Sequence, residues 1–197
     1  VERLSDEELM AQAQNGNVQA VDLLVSRHYG LVLNFAYRML GSRETAADVA
    51  QKTFTRVFAS ARTFKIGKRF KTWLCAITAN LCRDELRAKA GKKEASLEEL
   101  QEMAGDAFAA AGTAPDAADE AALRILGEEL WEKVRALPDK MATPLILHYR
   151  DGLTFTEIAE VMKVPVGSAK SWTFHAIRRL RAELTGNGLL DTEGEVE

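Results

Sequence analysis

The chain has 197 residues, enough for one large domain or two small ones, each able to bury a core without disulfides. Hydrophobic residues at 47% and charged residues at 28% exclude a disordered chain. No window approaches the roughly 18 apolar residues that span a bilayer, so membrane insertion is not expected.

The stretch Val1 to Asp6 lacks a basic region followed by an apolar one, so no signal peptide is expected. Cys75 and Cys82 form neither a CxxC pair nor half of a zinc framework. They read as buried, reduced thiols of a cytoplasmic protein.

The net charge of −3 is unevenly spread: +5 over residues 1–90, −5 over 91–127, +1 over 128–185 and −4 over 186–197. From Val49 to Arg83 there is no acid, against Lys52, Arg56, Arg62, Lys65, Lys68, Arg69, Lys71 and Arg83. From Val161 to Arg181 there is again none, against Lys163, Lys170, Arg178, Arg179 and Arg181. Two basic patches on a weakly acidic chain suit two contacts with a polyanion; charge alone fits two solvated helix faces equally well.

In chain order, Ser5 with Glu8 makes a capping box, and Gly16 ends the first helix. A longer helix carries Val21, Leu24, Val25, His28, Leu31, Phe35 and Met39 at spacings of three and four and stops at Gly41. The third, after Ser42, turns Ala50, Phe54, Val57, Phe58 and Ala61 inward. The fourth turns Phe70, Leu74, Ile77 and Leu81 inward and runs to about Ala88. Between these two, Thr63 to Arg69 contains Gly67 and reads as a short, basic, exposed loop. Four such helices make a bundle.

Residues 89–122 read as an Ala-rich linker with Gly91, Gly105, Gly112 and Pro115, within which Ser96 to Met103 suits a short helix. Helices near 126–137 and 141–150 follow, with Pro138 between them and Pro144 in the opening turn of the second. Then come a helix over 154–162, a turn, and a basic helix from about Pro165 to Leu184, the helix-turn-helix pattern. Val166, Ala169, Thr173, Ala176, Ile177, Leu180 and Leu184 should face inward. Gly167, Lys170, Ser171, Phe174 and Arg178 face out, flanked by Trp172, His175 and Arg179, a composition that suits a major groove. Packing against a neighbouring helix is the stronger reading for Trp172, and contact with a thymine methyl or sugar for Phe174.

No strand signal is present, so the expected fold is all-α: two small helical domains, 1–88 and 123–185, joined by a flexible linker, with an acidic tail over 186–197. An enzyme finds no support: there is no HExxH, no paired metal-ligand motif and no phosphate-cradling glycine loop, so no catalytic residue, metal or cofactor is expected.

The runs Asp48-Val49-Ala50-Gln51-Lys52-Thr53-Phe54, Phe70-Lys71-Thr72-Trp73-Leu74 and Ile77-Thr78-Ala79-Asn80 resemble region 2 of bacterial sigma factors. Gly152-Leu153-Thr154-Phe155-Thr156-Glu157-Ile158-Ala159, followed by Val164-Pro165-Val166-Gly167-Ser168-Ala169-Lys170-Ser171, resembles region 4. Two such regions with only a linker between them resemble the extracytoplasmic-function (ECF) group. The resemblance implies a non-enzymatic subunit that joins core RNA polymerase, recognises a promoter and helps open it. By that resemblance Asp48, Gln51, Lys52, Phe54 and Thr55 would dock on the clamp coiled coil of the largest polymerase subunit, and the second domain on the flap of the second-largest. Periodicity places Asp48, Lys52 and Thr55 on one exposed face but Phe54 in the inward stripe.

Phe64, Lys65, Lys68, Arg69, Lys71 and Thr72, with Asn80 and Arg83 beyond them, would hold a flipped base of the minus-ten element as single strand. Trp73 suits stacking on a base or the bundle's core, and the area it would bury favours the core. Gly167, Ser168, Lys170, Ser171, Phe174, His175 and Arg178 would read the minus-thirty-five duplex. The resemblance also implies an anti-sigma partner and a linker running toward the polymerase active centre.

Lys52 stands where the family usually has an acid, Lys163 where glycine is common, and Trp172 and His175 where arginine is usual. Lys163 would then carry some strain at positive φ. The alternative reading is an autonomous duplex-binding regulator using residues 123–184, which leaves the acid-free stretch from Val49 to Arg83 unexplained.

Overall fold

The computed structural model describes residues 4–94 and 127–186, and among these every regular element is helical. The first half contains α1 (Asp6–Gln14), α2 (Val18–Leu40), α3 (Arg43–Ala59), a 3-10 turn (Ala61–Thr63) and α4 (Phe70–Glu94). The second contains α5 (Glu128–Ala136), α6 (Asp139–Tyr149), α7 (Phe155–Met162) and α8 (Val166–Gly186). The expected helix over Ser96 to Met103, most of the linker and the acidic tail lie outside the described residues.

The boundaries follow from local chemistry. Ser5 accepts from the Glu8 N–H while the Glu8 carboxylate accepts from the Ser5 N–H at 2.7 Å, so the capping box forms. The Asn17 side chain caps α2, and Gly41 ends it at φ 70°. A Cβ on Gly41 would also lie 3.0 Å from Arg135 Cδ of α5, so the residue must be small as well as left-handed. The start of α4 is closed from far away in sequence: Glu7 of α1 accepts from the Phe70 N–H at 2.9 Å.

α1 to α4 and the 3-10 turn bury one core of Leu9, Met10, Leu24, Val32, Phe54, Val57, Phe64, Phe70 and Leu74. A second core crosses between the two halves: Phe35, Met39, Cys75, Ala79 and Cys82 pack with Leu130, Val134, Ile146, Leu147, Ile158 and Leu180. The halves therefore form one packed body, whereas the sequence suggests two bodies with separate cores. This packing widens the apolar stripe of α2, where Ala36 and Leu40 are buried beside the expected Phe35 and Met39.

Three further expectations are corrected. α4 runs to Glu94 rather than Ala88, because nothing from Lys89 to Glu94 must stop a helix and Gly91 only weakens one. α6 begins at Asp139, so Pro144 is its sixth residue and removes the bond to the Lys140 carbonyl, a loss that its complete burial offsets. Val166 is exposed rather than inward, since α8 starts there and only its later turns lie on α6 and α7.

Candidate nucleic-acid interface

The first basic surface is built on the loop after α3. Gln14 of α1 donates to the carbonyls of Ala61 (2.8 Å) and Phe64 (3.0 Å), pinning the base of the loop to the bundle. Phe64 is only 4% exposed, with ring centroids 5.2 Å from Trp73 and 6.1 Å from Phe70. It is thus a core anchor, and its ring cannot stack on a base without leaving the bundle. Trp73 joins the same aromatic cluster, half-buried. Beyond Phe64, the Lys68 N–H donates to the Lys65 carbonyl at 3.1 Å and Gly67 sits at φ 95°, closing a tight turn. Ile66, 71% exposed, projects from its apex between exposed Lys65, Lys68 and Arg69, a placement the sequence reading did not single out.

Lys71, Asn80 and Arg83 continue the surface along α4. Arg69 to Arg83 spans roughly 21 Å at 1.5 Å per residue, the reach of a short single strand. Arg83 donates to Asn80 Oδ1 at 2.9 Å, which fixes the Asn80 amide. Thr72 is buried.

The second basic surface lies on α8. Ala169, Thr173, Ala176, Ile177, Leu180 and Leu184 are buried against α6 and α7. Gly167, Lys170, Phe174 and Arg178 are exposed on the opposite side, with Ser168, Ser171 and His175 half-buried beside them. Trp172 is half-buried as well.

The elements leading into α8 are held firmly. His148 is hydrogen-bonded through Nδ1 to the Leu153 carbonyl at 2.9 Å and stacks on Phe155 at 4.2 Å, neither of which spacing alone could reveal. Thr154 and Glu157 form a second capping box, and Lys163 ends α7 at φ 57°, the one non-glycine residue at positive φ among the described residues.

A third surface is an open groove of about 510 Å³ between α2 and α3, lined by Val25, Tyr29, Asp48, Gln51, Phe54, Thr55 and Phe58. Asp48, Gln51, Lys52 and Thr55 are exposed, while Phe54 is only 7% exposed. Val25 and Tyr29 of α2 complete the groove and were not visible from the motif on α3. Lys52 pairs with Glu85 of α4 at 2.8 Å, which raises its pKa.

Comparison with known proteins agrees with this layout. The model of Sigma-70 region 2 matches residues 24–92, and that of Sigma-70 region 4 matches residues 127–180. The chain is 32% identical over 180 residues to the ECF RNA polymerase sigma factor SigW of Bacillus subtilis, covering 88% of this chain and 93% of the relative. The chain belongs to the ECF sigma factors. An ECF RNA polymerase sigma-E factor of Haemophilus influenzae is 31% identical over 179 residues, covering 89% of this chain and 93% of the relative. Among solved structures the fold is shared with CnrH in complex with the cytosolic domain of CnrY: TM-score 0.67, 24% identity, 92% of this chain and 98% of that chain covered. It is also shared with RpoE in complex with the anti-sigma factor NepR from Bartonella quintana: TM-score 0.62, 20% identity, 83% and 96% covered.

In this ECF sigma factor, region 4 touches the first basic surface but leaves the second clear. Arg69 pairs with Glu157 at 2.5 Å, Lys68 with Glu160 at 3.2 Å and Arg83 with Asp139 at 3.0 Å. Thr72 donates to Glu157 at 3.2 Å, and Lys71 donates to the Asp151 carbonyl. Partial burial works to raise the Glu157 pKa, but hydrogen bonds from Thr154 and the Arg69 charge outweigh it and hold it low. Asp151 is buried beside Arg38, 3.9 Å away, with Oδ2 unpartnered; burial pushes its pKa up to about 6 against the pull of Arg38, Lys71 and Arg150. Burial also pushes the Cys75 and Cys82 thiols up to about 12, so both stay protonated and unreactive.

Proposed function

We propose that region 2 captures the minus-ten element as single strand on the strip from Lys65 to Arg83, while α8 of region 4 lies in the minus-thirty-five major groove. The observation that carries this reading is the pairing, in one sigma factor, of a cationic strip sized for a short single strand with a helix-turn-helix whose outer face carries Lys170, Ser171, Phe174 and Arg178. Lys65, Lys68, Arg69, Lys71 and Arg83 supply phosphate contacts. Asn80 supplies an amide for a base edge, and Ile66 the exposed apolar group of the loop. Phe64 and Thr72 act by shaping the loop and the first turn of α4.

The groove bearing Asp48, Gln51 and Thr55, with Lys52 beside it, docks on the clamp coiled coil of the largest polymerase subunit, with Phe54 as its floor, and region 4 docks on the flap of the second-largest. The protein works in the cytoplasm and catalyses nothing itself. The complex of RpoE with the anti-sigma factor NepR supports a partner of anti-sigma type.

Run-off transcription with core polymerase on a promoter library tests the reading. Transcripts from promoters sharing two spaced elements are expected, and none above core enzyme alone would overturn it.

A further inference from the structure

The two basic surfaces differ in what they touch within the same molecule. Of the strip residues, Lys68, Arg69, Lys71, Thr72 and Arg83 all contact region 4. Asn80 is tied to Arg83, Phe64 is in the core, and Lys65 remains as the strip cation with neither a side-chain hydrogen bond nor an ion pair among the described residues. On α8 the reverse holds: Lys170 and Arg178 are exposed and carry no ion pair among the described residues.

The covering acids sit mainly on α7. The two oxygens of Glu157 divide their work: Oε2 accepts from the Thr154 N–H and hydroxyl, both at 2.8 Å, and caps the helix, while Oε1 accepts from Arg69 and Thr72. Glu160, one turn on, reaches Lys68. Carboxylates at hydrogen-bond distance from Arg and Lys occupy the positions that strand phosphates would need.

We propose that α7 is a latch, with Glu157 and Glu160 standing in for phosphates on the strip, so that the closed chain reads duplex through α8 and takes up single strand only after the latch is displaced. The proposal rests on the assignment of the strip to the minus-ten strand. It implies an order: engagement of the minus-thirty-five duplex is open to the closed molecule, whereas minus-ten capture must wait for separation of region 4 from region 2. Lys68 and Glu160 are exposed whereas Glu157 is largely buried, its side chain 14% exposed, so salt or a competing polyanion weakens the Lys68 pair most, while the shared apolar core keeps the closed form as the resting state.

The test uses the full chain carrying Glu157→Gln and Glu160→Lys. The glutamine keeps a side chain able to cap α7, and the lysine turns the Lys68 pair from attraction to repulsion. A control chain carries Glu129→Gln and Glu132→Lys, the same charge change at two exposed positions of α5.

Fluorescence anisotropy with a random-sequence single-stranded 12-mer pool should show about tenfold tighter binding for the latch variant and no more than about twofold for the control. Binding of a random-sequence 30-base-pair duplex should change equally in both. Equal single-strand affinity of latch variant and control overturns the latch. Adding Lys68→Ala and Arg69→Ala should abolish the gain; a gain that survives them overturns it too.

Binding of the pool by none of the chains also overturns the latch. Run-off transcription with core polymerase then separates the two ideas: if Lys68→Ala with Arg69→Ala lowers output the strip assignment stands alone, and if output is unchanged both fall.

Discussion

The two acid-free stretches look alike in sequence, yet the protein treats them as opposites. The strip on region 2 is built around a buried aromatic anchor and is met by acids of region 4 at three of its five cations, Lys68, Arg69 and Arg83. The α8 face carries its aromatic residue on the surface and meets no acid at Lys170 or Arg178 among the described residues. A charge run along the chain reports which residues can hold a polyanion; only the packing reports whether the molecule already holds a substitute for it.

The aromatic residues break the comparison most sharply. Phe64→Ala should destabilise the fold by about 3–5 kcal/mol in chemical denaturation, because it opens a cavity against Phe70 and Trp73. Phe174, 36% exposed, should cost no more than about 0.5 kcal/mol as Ala. Similar losses for the two would mean that Phe64 is not the anchor of its loop.

Next in size is Asp151, under the strip. Burial lifts its folded pKa from 3.8 to about 6, above the unfolded value, so the folded chain holds a proton that the unfolded chain has released. The resulting stability is fully present below about pH 4 and lost as pH rises through about 6, on the order of 3 kcal/mol for two units. Arg38 of α2, Lys71 and Cys75 of α4, Arg150 at the end of α6 and Glu157 of α7 face the same site. Asp151→Asn should remove this part of the pH dependence, seen as the wild-type minus variant difference in urea midpoints between pH 4 and 7. An unchanged difference would contradict it.

On the open surface, Lys170→Ala with Ser171→Ala should lower run-off from promoters with an intact minus-thirty-five element about tenfold, equivalent to about 1.4 kcal/mol. Binding to core polymerase should be unchanged. Smallest is Lys163→Gly, which should stabilise the chain by about 1 kcal/mol, raising Tm by roughly 2–4 °C, by relieving a side chain held at φ 57°. A fall in Tm would show that Lys163 contributes something its backbone conformation does not express.

Much of this was legible from local rules. Ser5 with Glu8 and Gly41 marked helix ends because caps depend on near neighbours, whereas positive φ at Lys163 was expected from the family resemblance. The outward face of α8 and the exposed face of α3 followed from helical period. What escaped depends on residues far apart in the chain. Glu7 capping α4, Gln14 holding the loop and Tyr29 completing the α3 groove have no signature at fixed spacing. The packing of region 4 on region 2 was hidden for the same reason: Met39, Cys75 and Cys82 suit a domain's own core as well as they suit an interface. Phe64 was misplaced as a base partner because an aromatic next to lysines reads as a nucleic-acid contact until its burial is seen.

Permanganate reactivity of unpaired thymines on a promoter bound by this chain with core polymerase tests the central claim most directly. The account predicts reactive thymines at the minus-ten element with the wild-type chain and their loss when Lys68 and Arg69 are both alanine, while protection of the minus-thirty-five duplex persists. Undiminished reactivity in that variant, or loss of both signals together, would contradict it.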